Sequence, residues 1–262
     1  MTTNDWNATE YHRVSNPHKE WGAAVLARVR ALDIGRIARA CDAGCGTGRV
    51  TADLLKLLPE RCTLAAVDNS QKMLETARQV LASECSRVEF FRADFQNLPF
   101  VNEFDLVFST AAFHWAPDHD RLFKSLFRAM KPAGTLVAQC GGGANLARIR
   151  ARELAVLRAP RFAPYFKEWT AAWNYADTGT TSARLHTAGF VNCEVWLEES
   201  PVVMADVDAY RAFLETVVER TQLAYLPDSE TRSRYLDEMM RLGDGDLTFD
   251  YWRLNINASK RG

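Results

Sequence analysis

Over the first 140 residues, short apolar runs alternate with stretches of helical periodicity. The runs IARACDAG (37–44), TLAAVD (63–68), RVEFFRAD (87–94), FDLVFST (104–110) and TLVAQC (135–140) read as strands. Between them, Val50–Leu58 is helical and stopped by Pro59. Gln71–Ala82 sets Met73, Leu74, Ala77, Val80 and Leu81 on one side, and His119–Met130 does the same with Leu122, Phe123, Leu126, Phe127 and Met130. Lys131-Pro132-Ala133-Gly134 is a stop signal. Strand–helix alternation of this kind predicts an α/β fold: a doubly wound, mostly parallel sheet with helices on both faces and right-handed crossovers.

After Cys140 the pattern changes. GGGAN is a turn, Leu146–Leu157 an arginine-rich helix, and RFAPYFKEWTAAWNYADTG (161–179) aromatic and irregular. Thr181–Ala188 then reads as helix and FVNCEVWLEES (190–200) as strand. Ala205–Gln222 and Ser229–Leu242 read as helices, and 247–257 as a closing strand with Leu247, Phe249, Tyr251, Leu254 and Ile256 in near-alternation. The expected organisation is an N-terminal segment and ligand-binding core over 1–140, a helical cap or lid over 141–180, and completion of the sheet over 181–262 with a helical segment inserted at about 205–242.

Composition narrows the partners. Hydrophobic residues make up 47% and charged residues 25% of 262, with formal net charge −1, which gives no electrostatic reason to expect nucleic acid or an anionic membrane. No apolar run reaches the ~20 residues that span a bilayer. The first residues, MTTNDWNATEYHR, lack the apolar core of a signal peptide. Six cysteines (41, 45, 62, 85, 140 and 193) form no CxxC pair, as expected of reduced thiols in a cytoplasmic protein. A small-molecule ligand is the expectation, with the chain a monomer or homodimer.

The candidate chemistry lies at the ends of the predicted strands. Asp42-Ala43-Gly44-Cys45-Gly46-Thr47-Gly48 joins the first strand to the first helix, and glycines there let the backbone approach a ligand. The spacing is G-x-G-x-G, unlike the G-x-G-x-x-G of dinucleotide sites, and Asp42 beside it suits an ammonium better than a pyrophosphate. Asp68 ends the second strand, twenty residues past Gly48, where a carboxylate can accept both ribose hydroxyls; Asn69 follows it. Asp94 and Phe95 end the third strand and can take an adenine amine and stack on its ring. An ammonium, a ribose diol and an adenine without phosphate describe S-adenosylmethionine.

The stretches CDAGCGTGR, LAAVDNSQKMLETAR, FFRADFQNLPF, FDLVFST and AMKPAGTLVAQ resemble, in order and spacing over roughly 38–140, the motifs of the class I S-adenosylmethionine-dependent methyltransferases. WNATEYH and AAFHWAPDHDRLF further resemble the trans-aconitate methyltransferase-like group of small-molecule methyltransferases. The resemblance implies a Rossmann-like sheet of seven strands, the last antiparallel beside the fifth, a role that 247–257 fits. It implies cofactor contacts at Asp42, Gly44, Cys45, Gly46, Gly48, Asp68, Asn69, Met73, Asp94, Phe95, Ser109, Thr110, Ala111 and Tyr11. Substrate contacts are expected at Phe113, His114, Trp115, Trp6 and Tyr11.

Methyl transfer from a sulfonium is an in-line displacement in which the protein supplies alignment and exclusion of water. The expected reaction is O-methylation of a carboxylate or hydroxyl. A carboxylate requires no base; a hydroxyl or amine would, and His114 is the best-placed candidate. Blander readings stand beside these. Asp68, Asn69 or Ser70 can cap a helix, Asp94 a turn; Met73 lies on an apolar helix face, Cys45 can fill a gap, and His114 can be a satisfied imidazole. His114, Asp118, His119 and Asp120 invite a metal, but Pro117 breaks any shared face, and no metal is expected. Arg148, Arg150, Arg152, Arg158 and Arg161 form a solvated face or a carboxylate clamp. N- or C-methylation, or cofactor binding without transfer, are the alternatives. A nicotinamide oxidoreductase ranks last, because no Tyr-x-x-x-Lys pair occurs.

Overall fold

The computed structural model of the chain describes residues 16–262, with side chains from Trp21 onward. Trp6 and Tyr11 lie outside the described residues. A first helix, α1 (Asn16–Arg30), precedes an alternating series: β1 (Arg39–Ala43), α2 (Arg49–Leu57), β2 (Thr63–Asp68), α3 (Gln71–Val80), β3 (Val88–Arg92), β4 (Phe104–Thr110), α4 (His119–Ala129) and β5 (Met130–Gly141). There follow α5 (Ala147–Arg158), α6 (Thr178–Ala188), β6 (Phe190–Glu199), β7 (Val202–Val203), α7 (Val207–Phe213), α8 (Arg220–Leu223), α9 (Ser229–Gly243), β8 (Thr248–Phe249) and β9 (Trp252–Lys260).

Seven strands form one sheet in the order β3-β2-β1-β4-β5-β9-β6. The first five pair in parallel, and β9 runs antiparallel to β5, with Gly141 opposite Arg253 and Gln139 opposite Asn255. The sheet is therefore doubly wound and mostly parallel. Its order reverses between β1 and β4, which leaves a crevice at the carboxyl ends of those strands. The sheet separates two apolar layers. Val25, Val29, Leu54, Leu64, Leu74 and Phe108 pack on one face, and Phe104, Phe113, Phe123, Leu126, Leu136 and Ile256 on the other. Such continuous burial explains why β1, β2 and β4 read as unbroken apolar runs.

Three details differ from the sequence reading. The helix before Lys131–Gly134 ends as expected, at Ala129, but the next strand begins at Met130 rather than Thr135 and carries that stretch as a bulge: Phe104 pairs with Met130 but Leu106 with Thr135, and Ala133 turns the chain at φ 61°. The closing strand is Trp252–Lys260, not 247–257. Thr248 and Phe249 pair with β7 in a separate ribbon, so their apolar alternation serves another layer. The helix expected over 205–222 is interrupted: α7 widens into a π-turn over Leu214–Val218 and resumes only at Arg220.

The chain divides into two compact units. The first holds the described residues up to Gly143 with Trp173–Glu198 and Arg253–Gly262; the second holds Ala144–Ala172 and Glu199–Trp252. The stretch Trp173–Thr180, assigned to the cap by sequence, therefore packs with the sheet.

Candidate active site

The site is built from the carboxyl ends of β1 to β5. Gly44, Gly46 and Gly48 all take positive φ (91°, 53° and 78°). At Gly44 the reason is packing, since a Cβ there would stand 2.3 Å from that of Ala112 in the loop after β4. At Gly46 the reason is different. A Cβ would meet nothing within 4 Å, so the left-handed turn presents bare backbone to open space. Gly48 begins α2 with no side-chain cap. Cys45 is buried in the core, and its N–H, like that of Gly44, donates to the Val67 carbonyl (2.9 and 2.8 Å). That pair of bonds ties the loop to β2.

Asp42 is buried at the end of β1. Its Oδ2 accepts from Thr51 Oγ1 at 2.7 Å, whereas Oδ1 is buried without a partner. Burial pushes its carboxyl up to about 7; the Thr51 hydroxyl opposes this and the neighbouring charge of Asp68 adds to it. Asp68 accepts the Gly46 N–H on Oδ2 (2.9 Å) and the Ser70 N–H on Oδ1 (2.8 Å). Burial raises it too, against these backbone donors. The Asn69 N–H also favours the charged carboxylate, and with about four lone-pair directions on two oxygens, acceptor capacity remains for a ribose hydroxyl. Ser70, not Asp68, caps α3, by accepting the Met73 N–H at 3.3 Å. Met73 itself is buried on the packed face of α3, and Asn69 is exposed.

Asp94 caps the single turn Phe95–Asn97 by accepting the Gln96 N–H at 2.8 Å. Phe95 sits edge-on to Phe113 (centroids 5.9 Å apart) and would contact a Cβ at Gly44, so the loops after β1, β3 and β4 converge. Ser109 Oγ donates to the Ala43 carbonyl at 2.7 Å, locking the ends of β4 and β1 together. Thr110 ends β4, and Ala111 turns away at φ 54° with its N–H on the Gln139 carbonyl (2.7 Å).

The row Phe113-His114-Trp115 has split roles. Phe113 is a core residue packed on Phe95 and Phe123, which withdraws it from the expected substrate wall. His114 Nδ1 accepts the Gly141 N–H at 3.3 Å. The imidazole proton therefore sits on Nε2, which is a donor. Its ring tilts against Trp115 (5.0 Å) and Tyr175 (5.8 Å), and its carbonyl accepts the Asn174 N–H at 2.7 Å. Tyr175 also stacks on Trp173. Sequence reading placed these two residues only in an irregular aromatic stretch. Asp118 caps α4 at Arg121, and His119 Nε2 is bonded to the Phe113 carbonyl, so neither is arranged as a metal ligand. Among the described residues no group of three or more His, Cys, Asp or Glu could hold a metal ion.

A family model described as a methyltransferase domain matches residues 40–134. Trans-aconitate 2-methyltransferase of Azoarcus sp. is 30% identical over 239 residues, covering 84% of this chain and 86% of that protein. The chain belongs to the class I S-adenosylmethionine-dependent methyltransferases. The trans-aconitate 2-methyltransferase of Deinococcus radiodurans is 36% identical over 135 residues, 51% of this chain; with this relative the chain matches about half the length (48%). Among solved structures, Haemonchus contortus phosphoethanolamine N-methyltransferase 2, in complex with phosphomonomethylethanolamine and S-adenosylhomocysteine, superposes with TM-score 0.62. It covers 97% of this chain and 57% of that one at 20% identity, a likeness of fold.

S-adenosylmethionine is the cofactor of this family, and the residues present fit it. The unpartnered Asp42 oxygen meets the need of an ammonium, and the open space at Gly46 leaves room beside the Asp68 carboxylate for a ribose. No helix among the described residues is long and apolar enough to cross a membrane.

Proposed function

We propose that the chain methylates a carboxylate of a small organic acid to give a methyl ester. The observation that carries this reading is the tautomer of His114. With Nδ1 accepting from Gly141, the imidazole proton sits on Nε2, so His114 acts toward an acceptor as a donor and not as a base. Taking a proton from a hydroxyl would require breaking that backbone bond. An acceptor ionised at neutral pH needs a donor beside it and no base, and an organic acid is such an acceptor. The trans-aconitate 2-methyltransferases among the relatives point the same way.

Bound at the strand ends, S-adenosylmethionine supplies a methyl group whose C–S bond breaks as an acceptor oxygen attacks, the electron pair passing to sulfur. Asp42 and Asp68 hold the ammonium and ribose, and Asp94 with Phe95 holds the adenine. Ser109, Thr110 and Ala111 line the methionine end, and Gly44, Gly46 and Gly48 bring the backbone close. His114 Nε2 orients the acceptor oxygen, while Trp115 and Tyr175 exclude water around it.

The test is turnover at saturating cofactor on a panel of trans-aconitate, other di- and tricarboxylates, phenols and amines. A carboxylate should be methylated with a rate flat between pH 6.5 and 9, and His114→Asn should raise its KM about tenfold, the value of one hydrogen bond to a charged group. If instead only a phenol or amine turns over, with a rate that climbs with pH and a kcat that collapses in His114→Asn, His114 is a base and the carboxylate reading fails.

A further inference from the structure

Thr51 lies in the first turn of α2, fully buried, and its hydroxyl donates to Asp42 Oδ2 at 2.7 Å. A helical threonine commonly turns its hydroxyl back to a carbonyl of its own helix. Here the proton crosses to the end of β1 instead. The other oxygen, Oδ1, is buried without a partner, on a residue that is 1% exposed. A buried carboxylate that serves only the fold is expected to have both oxygens satisfied. Asp105, at the opposite end of the β1–β4 pair, is of that kind. Its Oδ2 accepts the Ala38 and Arg39 N–H groups at 3.0 and 2.8 Å, and Lys131 Nζ donates to both oxygens at 2.9 and 3.0 Å.

The two acids differ in the charge of what holds them. Lys131 cancels the charge of Asp105. Thr51 is a neutral donor: it fixes the rotation of the Asp42 carboxylate and leaves the charge for a cation. A lysine or arginine in its place would compete with an ammonium for the same acid. The titratable neighbours do not cancel the charge either. Asp68, at the end of β2, has the same sign. The Cys41 and Cys45 thiols, on β1 and its loop, are held well above the usual thiol range by burial, so they stay neutral.

We propose that Thr51 is a positioning residue of the cofactor site, holding Oδ2 of Asp42 so that Oδ1 is aimed at the ammonium of S-adenosylmethionine. The inference rests on the reading that Asp42 receives that ammonium, and it adds the group that prepares the acid. Thr51 acts through Asp42 and not by contact with the ligand.

Titration calorimetry with two ligands tests this. S-adenosylhomocysteine carries the amino-acid part, whereas 5′-methylthioadenosine keeps the adenosine and lacks it. Thr51→Val preserves the shape and removes the proton. It should weaken S-adenosylhomocysteine about tenfold at pH 7.5, the scale of one hydrogen bond to a charged group, and leave 5′-methylthioadenosine within about twofold. Thr51→Ser should restore wild-type binding of both. The Thr51 bond favours the ionised acid, so without it S-adenosylhomocysteine affinity should begin to fall at a higher pH than in wild type, and the gap between the two should narrow by pH 9. If Thr51→Val does not fold, Thr51→Cys, a weaker donor, carries the same comparison with a loss of about fivefold. Equal losses of both ligands, or S-adenosylhomocysteine bound as in wild type, overturn the inference and leave Thr51 as packing of α2 on the sheet. Asp42→Asn separates this from the reading beneath it. If Asp42→Asn loses S-adenosylhomocysteine and keeps 5′-methylthioadenosine while Thr51→Val matches wild type, the role of Thr51 alone is overturned. If Asp42→Asn binds S-adenosylhomocysteine as wild type does, both are.

Discussion

Each unit of the chain buries a pair of acids under similar strain. In the first unit Asp42 and Asp68 are raised by burial, and the Asp68 charge pushes Asp42 further. In the second unit Glu153 is pushed up to about 7 and Glu219 well above its usual value, again by burial first, and for Glu219 by the charge of Glu153. Each pair leaves one buried oxygen unpartnered, on Asp42 and on Glu219. The difference lies in what surrounds them. Asp68 faces a loop whose Gly46 opens onto space at the ends of parallel strands. Glu219 is shut among helices, accepting the Tyr235 hydroxyl at 2.7 Å, while Glu153 accepts from Gln222 at 2.7 Å. We propose that the first pair is relieved by a cationic ligand and the second by a proton. A raised carboxyl thus marks a binding site only where an opening comes with it.

Breaking the contrast begins with the cofactor. Asp68→Ala should raise the Kd for S-adenosylhomocysteine about 100-fold or more, because a diol loses its charged acceptor. Glu219→Gln should leave it within about twofold. Titration calorimetry on both variants reads this directly. Equal losses would mean that the two pairs are one system, and the contrast would collapse.

The first pair was legible from sequence and the second was not. Asp42 and Asp68 end apolar runs buried on both faces, so their polarity stands out, and the glycine spacing gives them a meaning. Glu153 falls in a helix, and Glu219 and Gln222 in a stretch that reads as one, where a polar residue reads as solvent-facing. Only Glu219, close to the apolar Leu214, Val217 and Val218, interrupts the expected stripe, and its N–H closes the π-turn on the Leu214 carbonyl at 2.8 Å. Arg253 and Asn255 were hidden in another way. The alternation Arg253, Leu254, Asn255, Ile256 reads as a strand with one wet face, yet both of its faces are buried. Periodicity reports the two faces of a strand and says nothing about which of them water reaches. The closing strand was misplaced for a related reason. Leu247, Phe249 and Tyr251 continue the alternation while Thr248 and Phe249 join a different ribbon.

The second pair should show itself in stability. Glu153 is raised from 4.5 to about 7 in the folded chain, so the native state holds a proton that the unfolded chain has released. The contribution is fully present below the unfolded value and is lost as pH rises through about 7. Glu153→Gln keeps the neutral shape and the acceptor for Gln222. It should stabilise the fold by on the order of 2 kcal/mol at pH 8 and by about nothing at pH 4.5. Urea unfolding at both pH values measures this, and an equal effect at the two would show that the proton is not what relieves the pair.

The smallest effect is the sharpest discriminator, because it asks one acid to behave oppositely toward protons and cations. Asp42, pushed up to about 7 when the chain is alone, must be ionised to receive an ammonium. A bound cation lowers its pKa, so binding at neutral pH expels a proton, and protons compete with the cofactor. Affinity should fall as pH falls through 7, by about tenfold between pH 8 and pH 6, the factor for one group titrating at the midpoint. The heat of S-adenosylhomocysteine binding at pH 7 should accordingly vary with the ionisation enthalpy of the buffer. Asp42→Asn should flatten the pH dependence and erase the buffer effect, whereas Glu153→Gln should keep both. A wild-type Kd that is flat from pH 8 to 6 would mean that Asp42 stays protonated beneath the cofactor. Asp42 would then be relieved by its proton, as Glu219 is, and the ammonium would owe its place to backbone carbonyls at the strand ends.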